Sequence, residues 1–511
     1  MPSRRLRGAC VTRWWAAREV RGVDLRYARR VRRVALRVAA LGVVLLSGAC
    51  RRPEPTPARA GSVSSARSAA SRPSASAVVP LEASVVAPKI VLAAPPKARV
   101  YIKNRYVFVR PRADAHADWL GFLWFGASVE LRRATPVARP GCATFYAIEP
   151  MGFVCVDDKQ ATLSAEDPVF KLVSGFAPQL ERAAPHRYAE SLGAELLRAP
   201  PGSAARAWPA LPAFFHEPRR RLLPLSTVAY ADETTVGGEA WLMTADGLWL
   251  KKAQVTPYPE ITFHGVELGK GLDLPLAFFR RAGSVKYRRL GPGKFEKSQD
   301  AFALHAVVAL GLEQEIQRGE RYFRMAHEDA WVREREAVLP VARSITPWGA
   351  QVGTVDHTGR GPKSARQTWL EVSVLGGWLL AFEGTKPVFA TLISPGRGGI
   401  PQEGKNTLES AATPLGTFPI SGKLATVTLQ APGEYVHSEV PWTQNFQKPY
   451  AIHTAYWHDN WGNLQSGGCI NVSPIDGKWL FDFSEPTLPA GWHAVRWQPV
   501  TGAPTLLVVH P

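Results

Sequence analysis

The chain has 511 residues, too many for one ordinary domain and enough for roughly two to four. A hydrophobic fraction of 46% with 17 Trp excludes a wholly disordered or low-complexity protein. The formal net charge of +19 suggests a nucleic-acid partner, but residues 1–60 hold fifteen Arg against three acids (Glu19, Asp24, Glu54). That surplus of twelve leaves about +7 for everything else, so the charge reports a basic leader and no nucleic-acid partner is expected.

In the leader, residues 29–37 are cationic, residues 38–46 form a short apolar run, and small residues then lead to a cysteine in Leu46-Ser47-Gly48-Ala49-Cys50. The run is too short to span a bilayer as a mature helix, and the order is that of a secretory signal over residues 1–50. Its end resembles a bacterial lipoprotein processing site, with Ser47 where Leu is usual. The resemblance implies that Cys50 is a lipidated N-terminus. An ordinary cleaved signal or an uncleaved anchor are the alternatives. Residues 51–98 are rich in Pro, Ala and Ser; such a stretch buries no core and reads as a disordered tether. Together these features predict an exported, periplasmic or cell-envelope protein, anchored to a membrane through lipid.

Residues 99–160 read as short strands and turns, with Val100-Tyr101-Ile102, Tyr106-Val107-Phe108-Val109-Arg110, a hairpin-like pair across 120–131, and Gly152-Phe153-Val154 closing the stretch. Their size and rhythm resemble bacterial SH3-like wall modules. Cys142 and Cys155 fall in this stretch and are spaced to close a hairpin as a disulfide, which suits an oxidising compartment. Residues 161–219 are a mixed segment with a helical reading over 189–197. Residues 220–345 read as one or two further small β units: Trp241-Leu242-Met243-Thr244, an Asp246-Gly247 turn and Leu248-Trp249-Leu250 make a hairpin, and Tyr322-Phe323-Arg324-Met325 with Trp331-Val332 repeats the idea. Residues 346–368 read as a linker.

The last unit, 369–500, opens with strands at 369–374, 378–382 and 388–394, the first two joined by Gly376-Gly377. Then come Ser394-Pro395-Gly396 and Thr413-Pro414-Leu415-Gly416-Thr417-Phe418. The specific signal follows: Ala451-Ile452-His453-Thr454, then Ser466-Gly467-Gly468-Cys469-Ile470-Asn471, whose Cys lies sixteen residues beyond the His. In this order these motifs resemble the L,D-transpeptidase family, over about the last quarter of the chain. A short helix behind the nucleophile is expected from Ser473-Pro474-Ile475-Asp476 and Trp479-Leu480-Phe481.

The residue types suit acyl transfer from an amide, which needs a nucleophile, a base and donors for the developing oxyanion. The lone thiol Cys469 is the candidate nucleophile and His453 its base, either taking the proton or holding the thiolate as an ion pair. Gly468, Ser466, Gly467, Asn471 and Thr454 are candidates for oxyanion and loop support. Trp442, Tyr450, Tyr456 and His458 are candidates for the substrate cleft. Two positions depart from the family pattern: Gly467 stands where a His is usual, and Thr454 where small residues follow the catalytic His.

The resemblance implies a mostly β chain ending in a sandwich-like catalytic domain, and peptidoglycan stem peptides as substrates. A thioester would form on Cys469 with release of D-Ala. An amine would then resolve it, either of another stem, giving a 3→3 cross-link, or of a protein lysine. Water as acceptor would give carboxypeptidase or amidase chemistry at the same site. A wall-binding lipoprotein that keeps the fold but has lost turnover is the rival reading. Neither a Cys/His cluster with zinc spacing nor a phosphate loop is present in the sequence, so no metal or cofactor is expected.

Overall fold

A computed structural model describes residues 98–203, 220–353, 367–430 and 435–511. The leader with Cys50, nearly all of the tether, residues 204–219 and most of the linker lie outside the described residues. The described chain is mostly β. None of its helices is long and apolar enough to cross a membrane.

Two sheets frame the C-terminal part. The first runs in the order Val266–Glu267, Lys386–Leu392, Trp378–Glu383, Thr368–Ser373, Leu506–His510, Gly416–Pro419. The second runs Val107–Val109, Gly121–Leu123, Ala494–Arg496, Gly422–Gln430, Val436–Gln447, Tyr450–Thr454, Ile470–Val472. Most neighbours are antiparallel, but Thr368–Ser373 pairs parallel with Leu506–His510, and Tyr450–Thr454 pairs parallel with Ile470–Val472. The inner faces share one core. Leu370, Val372, Leu379 and Ile393 from the first sheet meet Phe446, Ile452, Ile470 and Val472 from the second, with Leu480 and Phe483 of the helix Pro474–Phe483. That helix is capped by Ser473, whose hydroxyl accepts from the Asp476 N–H at 3.1 Å, and Pro474 occupies its first turn.

Every residue of Thr368–Ser373 is buried, so the strand shows no polar face. The cause is a second core on the outer side: Trp369, Trp378, Leu380 and Phe382 are covered by Ile261, Phe263, Leu276, Phe278 and Val338. The preceding residues therefore cover the outer face of this sheet.

This merging changes the domain picture drawn from the sequence. Gly121–Leu123 and Ser128–Glu130 do not form a hairpin. The first joins the C-terminal sheet beside Ala494–Arg496, and the second pairs with Arg99–Ile102 in a separate small sheet. Residues 99–162 are divided among three sheets and share one core, in which Val100, Ile102, Val109, Leu123, Val129, Ile148 and Val154 meet Trp492 of the C-terminal part. Within them, Cys142 and Cys155 form a disulfide with Cα atoms 6.0 Å apart. The helical reading of 189–197 is also corrected. Arg187–Ser191 is a strand paired with Thr227–Val236 and Val255–Pro257, and Gly193 then turns the chain at φ +103°. Helix-forming residues there are overruled by two flanking strands. Among the described residues of this region the helix is Pro168–Ser174, capped by Asp167. Both anticipated hairpins, Glu239–Thr244 with Trp249–Lys251 and Glu320–Met325 with Trp331–Arg333, are present. The strand Leu506–His510, beyond the expected end at 500, lies inside the first sheet.

Candidate active site

The site forms where the second sheet ends in its parallel pair. Parallel strands need a long crossover. Here it is residues 455–469, running from the end of Tyr450–Thr454 to Cys469, which leads directly into Ile470–Val472. The register sets His453 opposite Asn471. Cys469 lies immediately before Ile470–Val472, two residues ahead of Asn471 in the chain. Cys469 is buried at 7% exposure and is in no disulfide.

His453 is buried at 4% exposure. Its Nδ1 lies 2.9 Å from the Thr454 carbonyl, which can only accept, so Nδ1 carries the proton. Its Nε2 therefore accepts, from the Asn471 side-chain amide at 3.1 Å. Burial pushes the imidazole down to about 4, against a smaller upward pull from the Thr454 carbonyl, so His453 rests neutral. Asn471 Oδ1 in turn faces His458 Nε2 at 3.4 Å. His437 stacks on Trp457 with ring centroids 4.0 Å apart. Burial, then the neighbouring His453 and His458, push it down to about 3.

The turn leading to Cys469 is braced on several sides. Ser466 Oγ donates to the Cys469 carbonyl at 2.5 Å and accepts from the Gly468 N–H at 3.0 Å. Gly468 has φ +125°, and a Cβ there would meet the Tyr450 ring at 2.6 Å, so only glycine fits. Thr413 Oγ1 donates to the Gly468 carbonyl at 3.1 Å and accepts from the Gly396 N–H at 2.8 Å. Ser394 exchanges both backbone hydrogen bonds with Asn471. The spaced Ser-x-Gly and Thr-Pro-x-Gly motifs thus converge on one turn. Thr413 was the residue that sequence reasoning left without a role, although its motif had been singled out.

The cleft candidates divide. His458 is half-buried and joins the site through Asn471. Tyr450 lies beneath Gly468, with its hydroxyl donating to Thr407 Oγ1 at 2.6 Å. Tyr456 is in the interior instead: its hydroxyl donates to the Ser438 carbonyl and bonds Thr227 Oγ1 at 2.6 Å, and its ring stacks on Tyr188. Trp442 is also internal, its Nε1 donating to the Ala183 carbonyl and its ring set against Phe481. Thr454 is fully buried. Its hydroxyl donates to the Pro441 carbonyl at 2.8 Å and its methyl lies over Gly477 of the helix.

The buried thiol of Cys469 thus immediately precedes the strand Ile470–Val472, which runs parallel beside the strand carrying the neutral imidazole of His453. Residues 367–498 match the YkuD family model, the L,D-transpeptidase catalytic domain, whose members are cysteine L,D-transpeptidases. Among solved structures, the L,D-transpeptidase of Xylanimonas cellulosilytica is 20% identical with a TM-score of 0.21, covering 29% of this chain and 63% of its own. This chain therefore spans less than two thirds of that relative's length. The L,D-transpeptidase of Stackebrandtia nassauensis is 22% identical with a TM-score of 0.20, covering 29% and 57%. That of Mycobacterium smegmatis is 12% identical with a TM-score of 0.22, covering 56% and 99%. No curated protein matches the chain. Among the described residues no group of His, Cys, Asp and Glu is placed to hold a metal ion.

Proposed function

We propose that the chain is a peptidoglycan L,D-transpeptidase of the cell envelope, with Cys469 as nucleophile and His453 as general base. The observation that carries this reading is the parallel register joining His453 to the strand that Cys469 opens, inside the segment that matches the family. Because His453 rests neutral, it acts as an acceptor when the thiol attacks and is not a preformed imidazolium partner. The Cys469 sulfur adds to the carbonyl of the L-centre of the diamino acid at stem position three. The S–H proton passes to imidazole nitrogen, the C–N bond to D-Ala breaks, and the protonated amine leaves a thioester. An incoming amine then forms the new amide and returns the thiolate. A second stem gives a 3→3 link, a protein lysine an anchored protein, and water a trimmed stem.

The Gly468 N–H, the expected oxyanion donor, rests on Ser466 Oγ, so donation to substrate oxygen requires Ser466 to release it. Tyr450 and Thr413 hold the turn. No metal or cofactor enters this chemistry. Lipidation at Cys50 and the tether would keep the folded part near a membrane.

The test is incubation of the purified chain with disaccharide-tetrapeptide, followed by mass spectrometry. Loss of D-Ala with a dimer or a tripeptide product, abolished in Cys469→Ala, is expected. Unchanged tetrapeptide with a matched diamino acid would favour a wall-binding protein without turnover.

A further inference from the structure

This inference deepens the cysteine–histidine reading above and rests on it. In the resting site the one nitrogen of His453 that can take up a proton is already engaged. Nε2 accepts from Asn471 Nδ2 at 3.1 Å, while Nδ1–H is spent on the Thr454 carbonyl. What decides which end of the Asn471 amide faces His453 is found one step further out. The Asn460 N–H donates to His458 Nδ1 at 3.3 Å, so the His458 proton sits on Nε2 and points at Asn471 Oδ1 at 3.4 Å. With Oδ1 held there, Nδ2 has to face His453. If the amide turned over, two donors would meet at His458 and two acceptors at His453.

We propose that His458 is a positioning residue that sets the proton affinity of His453 by fixing the orientation of the Asn471 amide. When His453 takes the thiol proton, the S–H electrons stay on sulfur and a new N–H forms at Nε2. That N–H can no longer receive a donor from Asn471. The amide held by His458 therefore opposes protonation of the base and favours its return to the neutral form after each step.

His458 is itself held by the preceding part of the chain. Its ring lies 4.7 Å from that of Trp461, which is fully buried beside Phe263. Arg280 Nη1 donates to the Gly462 carbonyl at 2.8 Å, fastening the same loop. Besides the Cys469 thiol, the titratable groups that face the pair are His437, on the strand Val436–Gln447, and Asp459, beside His458. His305 of the preceding unit lies 3.8 Å from Asp459.

The experiment is an NMR titration of imidazole-labelled full-length protein, following His453, in the native protein and in His458→Ala and His458→Gln. Glutamine can still donate to Asn471 Oδ1; alanine cannot. The expected result is an upward shift of the His453 midpoint by one pH unit or more in His458→Ala, with the native value restored in His458→Gln. An unchanged midpoint in His458→Ala, or equal shifts in both variants, would overturn the proposal. The midpoint is read whether or not the protein turns over stem peptides, so this outcome is separate from the fate of the transpeptidase reading. If His458→Ala fails to fold, His458→Gln against His458→Leu gives the same comparison.

Discussion

Gly477 offers a direct test of how the helix behind the nucleophile is fitted to the base. It lies inside Pro474–Phe483, where replacing glycine by alanine ordinarily stabilises a helix by about 1 kcal/mol. Here a Cβ would come 2.1 Å from Thr454 Cγ2. Thr454 cannot simply rotate away, because its hydroxyl donates to the Pro441 carbonyl at 2.8 Å and its surroundings are fully buried. Forcing a methyl into such a site costs ~1–3 kcal/mol, which outweighs the helical gain. Gly477→Ala should therefore be neutral to ~2 kcal/mol less stable in urea unfolding. Serine at 454 keeps the hydroxyl and removes the methyl. In the Thr454→Ser background the same Gly477→Ala change should turn stabilising, by about 1 kcal/mol. The double-mutant cycle isolates this contact. Equal effects of Gly477→Ala in both backgrounds would refute the argument. A second reading comes from the site: the Thr454 carbonyl holds His453 Nδ1, so the displaced threonine should also slow acyl-enzyme formation, and Thr454→Ser should recover it.

Two further outcomes follow from the same geometry. Gly468→Ala must leave φ +125° or push against Tyr450 and the Ala412 carbonyl, moving Cys469; a displacement near 1 Å costs on the order of a hundredfold in rate. Acylation rate measured beside the unfolding midpoint should show a loss much larger than the change in stability. For pH, His186 and His493 are pushed down to about 3 and His453 to about 4, all by burial. Their unfolded forms take up protons below about 6.5 while the folded forms do not, so stability is present above that pH and falls as the pH drops towards 4. His437 and His458 act in the same direction, Asp476, raised to about 6 by burial, acts against them, and on balance urea midpoints should fall between pH 7 and 5.

The strands and motifs around Cys469 and His453 were legible in the sequence because they are local. The alternation from Trp369 to Val374, the Gly376-Gly377 turn, the apolar return strand at 378–382 and the short helix after Ser473 each show within a few residues. The sequence misled where long-range pairing decides. Residues 189–197 carry helix formers, yet the strand there is fixed by Thr227–Val236 and Val255–Pro257. Gly121–Leu123 looked like one arm of a hairpin with the strand after it, but it pairs with Val107–Val109 and with Ala494–Arg496, the latter more than 370 positions away. Tyr456 and Trp442 carry the aromatic character of a cleft and are buried against partners far back in the chain.

The same long-range contacts explain why the site cannot be read as the last quarter of the chain alone. The outer face of Thr368–Ser373 and its neighbours is covered by Ile261, Phe263, Leu276 and Val338, without which Trp369, Trp378, Leu380 and Phe382 would face water. Phe263 and Arg280 also hold Trp461 and Gly462, on the loop that carries His458. That loop ends at Cys469, and its first turn orients the amide that faces His453. The preceding β units thus reach the base through two successive contacts, Trp461 to His458 and His458 to Asn471. Their sequence gives no sign of this, because neither contact involves residues of the nucleophile motif except Asn471.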